Sequence, residues 1–181
     1  MNQRKRTPMS KINDLNFKER LRQIKAFVFD VDGVLSTSKV AILPDGELGR
    51  TTNVKDGFAL SRAKEEGYIL GIISGGKSEA VAKRFLNLGV HSVYIRSNDK
   101  MKDFEHFLAE HKLSASQVLY MGDDLPDIEV MKACAVACCP ADAAEDVKAI
   151  SLYISGLNGG DACVRDVIAQ VMKTQNTWYN Q

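Results

Sequence analysis

Six short apolar runs, alternating with stretches of helical periodicity, constrain this chain more tightly than anything else in it. The runs at 24–29, 68–73, 92–95, 118–121, 135–138 and 152–154 are rich in Val, Ile and aromatic residues, mostly without polar alternation. Strands covered on both faces read this way. Four helical patterns lie between them. The first spans 57–66, with Asp56 placed to cap it. The second spans 77–88, carries Val81, Phe85 and Leu88 on one face, and stops at Gly89. A third, over 100–111, sets Met101, Phe104, Phe107 and Leu108 at helical spacing. The fourth, over 161–173, is the clearest, with Val164, Val167, Ile168, Val171 and Met172 on one stripe. This alternation predicts an α/β domain of three layers, with helices on both faces of a mainly parallel, Rossmann-like sheet. Ligands of such sheets bind beyond the carboxyl ends of the strands, where strand order reverses.

One segment, 39–52, departs from the alternation. Two extended runs flank Pro44-Asp45-Gly46, in which Pro fixes φ and Gly supplies φ > 0. A small β-hairpin insert over about 38–53 is expected, projecting from the end of the first strand. It leaves no room for a separate domain. The 181 residues suit one domain. The expected organisation is a basic, partly flexible extension at 1–23, the α/β domain at 24–174, and a tail at 175–181.

Composition narrows the function classes. Apolar residues make up 45% and charged residues 26%, the balance of an ordinary globular protein. No apolar run approaches the ~18 residues of a membrane span. Residues 1–11 lack the apolar stretch of a secretory signal, so a cytoplasmic protein is expected. Cys134, Cys138, Cys139 and Cys163 show neither paired C-x-x-C spacing nor nearby histidines. Reduced thiols are therefore expected, rather than a zinc site. Residues 1–23 hold seven basic and two acidic side chains against a net charge of +1 for the whole chain. Arg4-Lys5-Arg6 is short, terminal and free of interleaved aromatics, which argues against a nucleic-acid partner.

Chemistry concentrates where apolar runs end. Phe27-Val28-Phe29 leads into Asp30-Val31-Asp32-Gly33. Buried charge is too costly for strand interior, so both acids belong where the chain leaves the sheet, with Gly33 allowing a sharp turn. Two carboxylates converging there call for a cation, and Mg²⁺ with oxygen ligands is the natural candidate. One can attack phosphorus while the other exchanges protons. Val118 to Met121 leads likewise into Gly122-Asp123-Asp124-Leu125-Pro126-Asp127, with Pro126 opening a helix. A second strand ending in paired acids is what a shared metal site requires. Ser74-Gly75-Gly76 can cradle an anion with a hydroxyl and backbone amides. Lys100 opens a helix against the macrodipole, so an anion should face it.

In this order the segments resemble the four motifs of the haloacid dehalogenase superfamily, over nearly all of residues 24–172. The resemblance implies that Asp30 is the nucleophile and Asp32 the general acid/base. Asp30, the Asp32 backbone carbonyl and Asp123 would hold the metal, with Asp124 and Asp127 supporting it and Lys100. Ser74 and Lys100 would bind the phosphoryl oxygens, beside Gly75 and Gly76. Within that superfamily the chain more closely resembles the capless 3-deoxy-D-manno-octulosonate 8-phosphate phosphatases. It shares with them the hairpin, Asn53-Val54-Lys55-Asp56-Gly57, Gly-Asp-Asp-x-Pro-Asp, and a late Gly159-Gly160 followed by Arg165. That family implies a homotetramer whose neighbouring hairpins and tails complete each site, with 53–57 and Arg84 facing the sugar acid. The arginine that many relatives carry after the first glycine is absent, Gly76 standing in its place. Arg62, Lys77, Arg84 or a subunit-borne residue would then face the acid's carboxylate. A nonulosonate 9-phosphate, or a phosphoprotein or polynucleotide, remains an alternative substrate.

Overall fold

The computed structural model describes residues 16–44 and 46–179. Helix α1 (Phe17–Gln23) opens the described chain through a capping box in which Asn16 accepts from the Glu19 amide and Glu19 reaches back to the Asn16 amide. Its Leu21 is buried, so the portion of the basic extension that is described packs on the domain. The remainder of that extension, including Arg4, Lys5 and Arg6, lies outside the described residues.

Strand β1 (Ala26–Phe29) is the centre of the sheet. The hairpin follows, from β2 (Ala41–Ile42) and β3 (Leu48–Gly49), antiparallel and only two residues each. Then come α2 (Val54–Glu65), β4 (Ile69–Ile73), α3 (Glu79–Asn87), β5 (Ser92–Tyr94) and α4 (Lys100–Glu110). The second half holds β6 (Val118–Met121), α5 (Ile128–Ala133), β7 (Val136–Cys139), α6 (Glu145–Ile150), β8 (Tyr153–Ile154) and α7 (Cys163–Thr174). All six expected strands are present. They form one parallel sheet in the order β5-β4-β1-β6-β7-β8.

The period-two geometry of a strand divides the core. Phe27 and Phe29 of β1 join Leu60, Val164, Ile168 and Phe85 beneath α2, α7 and α3. Ala26 and Val28 point the other way, to Phe104 and Phe107 of α4 and Val130 and Met131 of α5. Two core clusters on opposite faces of one sheet are the expected three layers. Both faces bury apolar side chains, which is why the strands lack alternation.

Helix α2 starts a turn earlier than the pattern at 57–66 suggests. Asn53 caps it by accepting from the Lys55 amide at 2.9 Å. Asp56 is not that cap: it is buried and accepts the amide of Arg165 in α7 at 2.7 Å. The first helical turn, Val54 to Gly57, holds a single apolar side chain and exposes it, so it offers no apolar period to read. Ser78 caps α3 and Asp99 caps α4. Among the described residues no helix is long and apolar enough to cross a membrane.

Candidate active site

The chain runs from β1 outward to β4 and β5, then crosses to β6 on the other side of β1. Strand order therefore reverses at β1, and Asp30, Ser74 and Asp123 follow the carboxyl ends of β1, β4 and β6. They line a cleft of about 890 Å³ with Asp32, Lys100 and Asp127. The topology alone gathers four segments that span nearly a hundred residues of sequence.

At the floor, Lys100 Nζ lies 2.8 Å from Asp30 Oδ2 and 2.8 Å from Asp127 Oδ1. Both carboxylates and the ammonium are nearly closed to solvent. Burial works against the charged lysine, but the two carboxylates outweigh it and the Lys100 pKa is raised. The anion expected opposite this helix-opening cation is thus supplied by the protein itself. Asp127 Oδ1 also accepts from the buried Tyr120 hydroxyl at 2.6 Å, and its Oδ2 from the amides of Asp123 and Asp124. Asp124 is exposed and caps the turn Leu125–Asp127, accepting from the Leu125 amide.

Asp30 is pushed up to about 7, first by burial and then by the Asp127 charge, against the pull of Lys100. Asp123 is also raised to about 7, by burial and then by Asp30 and Asp127. Oxygens of Asp30, Asp123 and Asp127 come within 4.8 Å of one another. With both Asp127 oxygens already engaged by two donors each, the oxygens open to a cation belong to Asp30 and Asp123. Gly33 makes the approach possible. Its φ is +85°, and a Cβ there would lie 1.9 Å from Asp123 Oδ2. The donor set, hard oxygens from repelling carboxylates, fits a divalent cation such as Mg²⁺.

That repulsion has a measurable consequence. Asp30 and Asp123 bind protons more tightly folded, near pH 7, than at their ordinary value of 3.8. Their contribution to stability is full below that ordinary value and is lost as pH rises through about 7. A cation at the site should offset the loss. Thermal melts with and without millimolar Mg²⁺ should show a larger stabilisation at pH 8 than at pH 5.5. An equal shift at both pH values would contradict the assignment.

Above the floor, Ser74 Oγ accepts from the Gly76 amide at 3.1 Å, leaving its proton to donate into the cleft. Asp32 is half exposed. Arg50, immediately after β3, grips it with Nε 2.5 Å from Oδ1 and Nη2 2.8 Å from Oδ2. Sequence reasoning missed Arg50 and Tyr120. Neither lies in a motif, and each acquires its partner only through the fold.

The family-implied sugar contacts are not gathered here within one chain. Asn53 is spent on capping and donates to the Gly160 carbonyl at 2.9 Å. Val54 and Lys55 point to solvent. Asp56 is buried against α7, and burial pushes its pKa up to about 6. Gly57 is buried beneath Arg84, whose Nη2 is 3.4 Å from where a Cβ would stand. Arg84 and Lys77 line a neighbouring groove of about 580 Å³ together with Arg50 and Arg96. Arg62 is turned away, donating to the Thr177 and Trp178 carbonyls.

Comparison with known proteins decides the family. The haloacid dehalogenase-like hydrolase family matches residues 89–168. The 3-deoxy-D-manno-octulosonate 8-phosphate phosphatase of Escherichia coli K12 is 30% identical over 86% of this chain and 83% of its own length. The chain belongs to this phosphatase family. Solved family members superpose closely. The Yersinia pestis enzyme gives a TM-score of 0.86 at 28% identity, covering 88% of this chain and 86% of its own. The Moraxella catarrhalis enzyme, crystallised with magnesium, phosphate and 3-deoxy-D-manno-octulosonate (KDO), gives 0.84 at 30% identity, covering 93% and 94%.

Proposed function

We propose that this protein is a Mg²⁺-dependent phosphatase that hydrolyses 3-deoxy-D-manno-octulosonate 8-phosphate to the free sugar acid and phosphate, a step of lipopolysaccharide precursor synthesis. The observation that carries the reaction class is Asp30, held 2.8 Å from Lys100 at the switch point of the sheet. Likeness to the Moraxella enzyme and its bound KDO supports the substrate.

Asp30 attacks phosphorus in line with the departing sugar oxygen. Lys100 neutralises phosphoryl charge, and Ser74 and the amides of the following loop orient the group. Asp32 gives its proton to the sugar oxygen, then as a carboxylate takes one from the water that hydrolyses the aspartyl phosphate. Held by Asp30, the Asp32 backbone carbonyl and Asp123, Mg²⁺ would supply Lewis acidity toward the phosphoryl oxygens. Asp127 holds Lys100 between the two carboxylates. The four cysteines, free of disulfides, fit a cytoplasmic enzyme.

The reading extends to assembly. One chain leaves apolar side chains exposed on the hairpin and α2, among them Ile42 at 80%, Val54 at 75% and Phe58 at 44%. Patches of this kind mark contact surfaces. A homotetramer that covers them and brings 53–57 and Arg84 toward a neighbouring cleft is the expected state. Light scattering should give the mass of four chains, and Ile42→Asp should lower it. A monomeric wild-type protein would contradict this.

Substrate choice is tested by kcat/KM for Mg²⁺-dependent phosphate release from a panel. The panel holds KDO 8-phosphate, a nonulosonate 9-phosphate, hexose phosphates and a phosphopeptide. At least about tenfold preference for the octulosonate ester, worth ~1.4 kcal/mol, is expected. Preference for the nine-carbon acid keeps the chemistry and replaces the substrate. Flat, weak activity on all small esters overturns the reading.

A further inference from the structure

Arg50 occupies an unusual position for a hairpin residue. Its side chain is only 6% exposed, against 35% for Asp32, to which it is bound by two prongs. The third nitrogen, Nη1, donates to the Leu48 carbonyl at 2.9 Å, so the fork is fixed at its own base. A bidentate guanidinium sets the plane of a carboxyl group as a single ammonium cannot. The setting leaves space for it. A Cβ at position 76 would stand 3.4 Å from Arg50 Nη2, an ordinary contact, and 3.1 Å from Ser74 Oγ, so the guanidinium packs over Gly76 beside the phosphate-binding hydroxyl. Ser36 Oγ, 3.3 Å from Asp32 Oδ1, is a weaker third contact.

We propose that Arg50 is the positioning residue for the proton donor, fixing Asp32 toward the leaving group and neutralising the carboxylate that remains. The inference rests on the phosphatase reading, with Asp32 as donor. In the step concerned, an Asp30 oxygen bonds to phosphorus and the bond from phosphorus to the sugar oxygen breaks. That oxygen takes the Asp32 proton, leaving Asp32 anionic against Arg50. The guanidinium thus acts through Asp32, and none of its own atoms gains or loses a bond. It also makes docking of the hairpin a condition of proton transfer.

The test compares kcat/KM for an alkyl ester, KDO 8-phosphate, with that for p-nitrophenyl phosphate, whose leaving group departs without a proton. This parameter covers steps only through loss of the leaving group, so hydrolysis of the phosphoenzyme does not enter. Removing a general acid costs about 10²–10⁴-fold. Arg50→Gln should lower the alkyl value by about 30-fold or more while changing the aryl value less than about threefold. In an Asp32→Asn background, Arg50→Gln should add no further selective loss. Arg50→Lys, which keeps charge but loses the fork, should recover part of the alkyl activity, and it carries the same comparison if Arg50→Gln does not fold.

Equal loss on both esters, or none on either, overturns the role of Arg50 and leaves the phosphatase reading intact. If Asp32→Asn itself shows no selectivity for the alkyl ester, the donor assignment falls and the role of Arg50 with it. A wild-type protein inactive on both esters overturns the phosphatase reading itself.

Discussion

Asp30→Asn is expected to lower kcat by at least about 10⁴-fold, while the metal-free protein at pH 8 becomes more stable rather than less. Loss of a nucleophile from a covalent mechanism is among the largest single-residue effects in catalysis. The amide cannot form the acyl phosphate, however well Lys100 and Ser74 hold the substrate. Stability should move in the opposite direction. Burial and the neighbouring Asp127 raise Asp30 to about 7, so its charged form is less favourable in the folded chain than in the unfolded one. An uncharged isostere removes that penalty above pH 7. Activity assays paired with urea melts separate the two outcomes. Parallel loss of activity and stability would mark Asp30 as structural.

Lys100→Met is expected to cost both. The ammonium separates Asp30 from Asp127 at 2.8 Å on either side, and Asp123 stands close by. Removing one partner from a buried charge cluster costs about 3–5 kcal/mol. The cost should be smaller at pH 5.5 than at pH 8. Asp30 already takes up its proton near 7 with the lysine present, and without it the carboxyl protonates at still higher pH. Acid therefore relieves the unpaired charge. Turnover should fall by about 10²–10³-fold, the scale seen when one preorganised charge-stabilising donor is removed. Denaturant melts of the metal-free variant at both pH values check the first claim, and steady-state kinetics the second. A pH-independent loss of stability would place Lys100 outside the charge cluster.

Local patterns made much of the molecule legible. The apolar runs needed only both-face burial to be read as strands, and each appears within a residue or two. Asp30, Asp123 and Lys100 were readable because charge at the end of an apolar strand, or a cation at a helix start, demands a partner. Ser74 is weaker by itself, since its role depends on β4 lying beside β1. The start of α2 was misread because Asn53 caps through its own side chain, where no apolar period marks the turn.

Other features depend on contacts that no local rule encodes. Arg50 reaches Asp32 across 18 positions of chain. Tyr120 looks like any aromatic in a buried strand until its hydroxyl is seen 2.6 Å from Asp127. Helix α1 joins the fold through Leu21 and through Gln175, whose amide donates to the Leu21 and Ile24 carbonyls at 2.8 and 2.9 Å. Trp178 lies edge-on to Phe58 with Arg165 stacked over it. Those contacts tie the described end of the tail to α2 and α7 of the same chain.

The measurement that bears most directly on the proposed chemistry is an acid quench of the enzyme with Mg²⁺ and phosphorus-labelled KDO 8-phosphate, within the first turnover. Peptide mapping should then find the label on Asp30, lost in proportion to released phosphate as the quench is delayed. Phosphate released at the full rate with no labelled protein, or with label on another residue, would contradict Asp30 as the nucleophile.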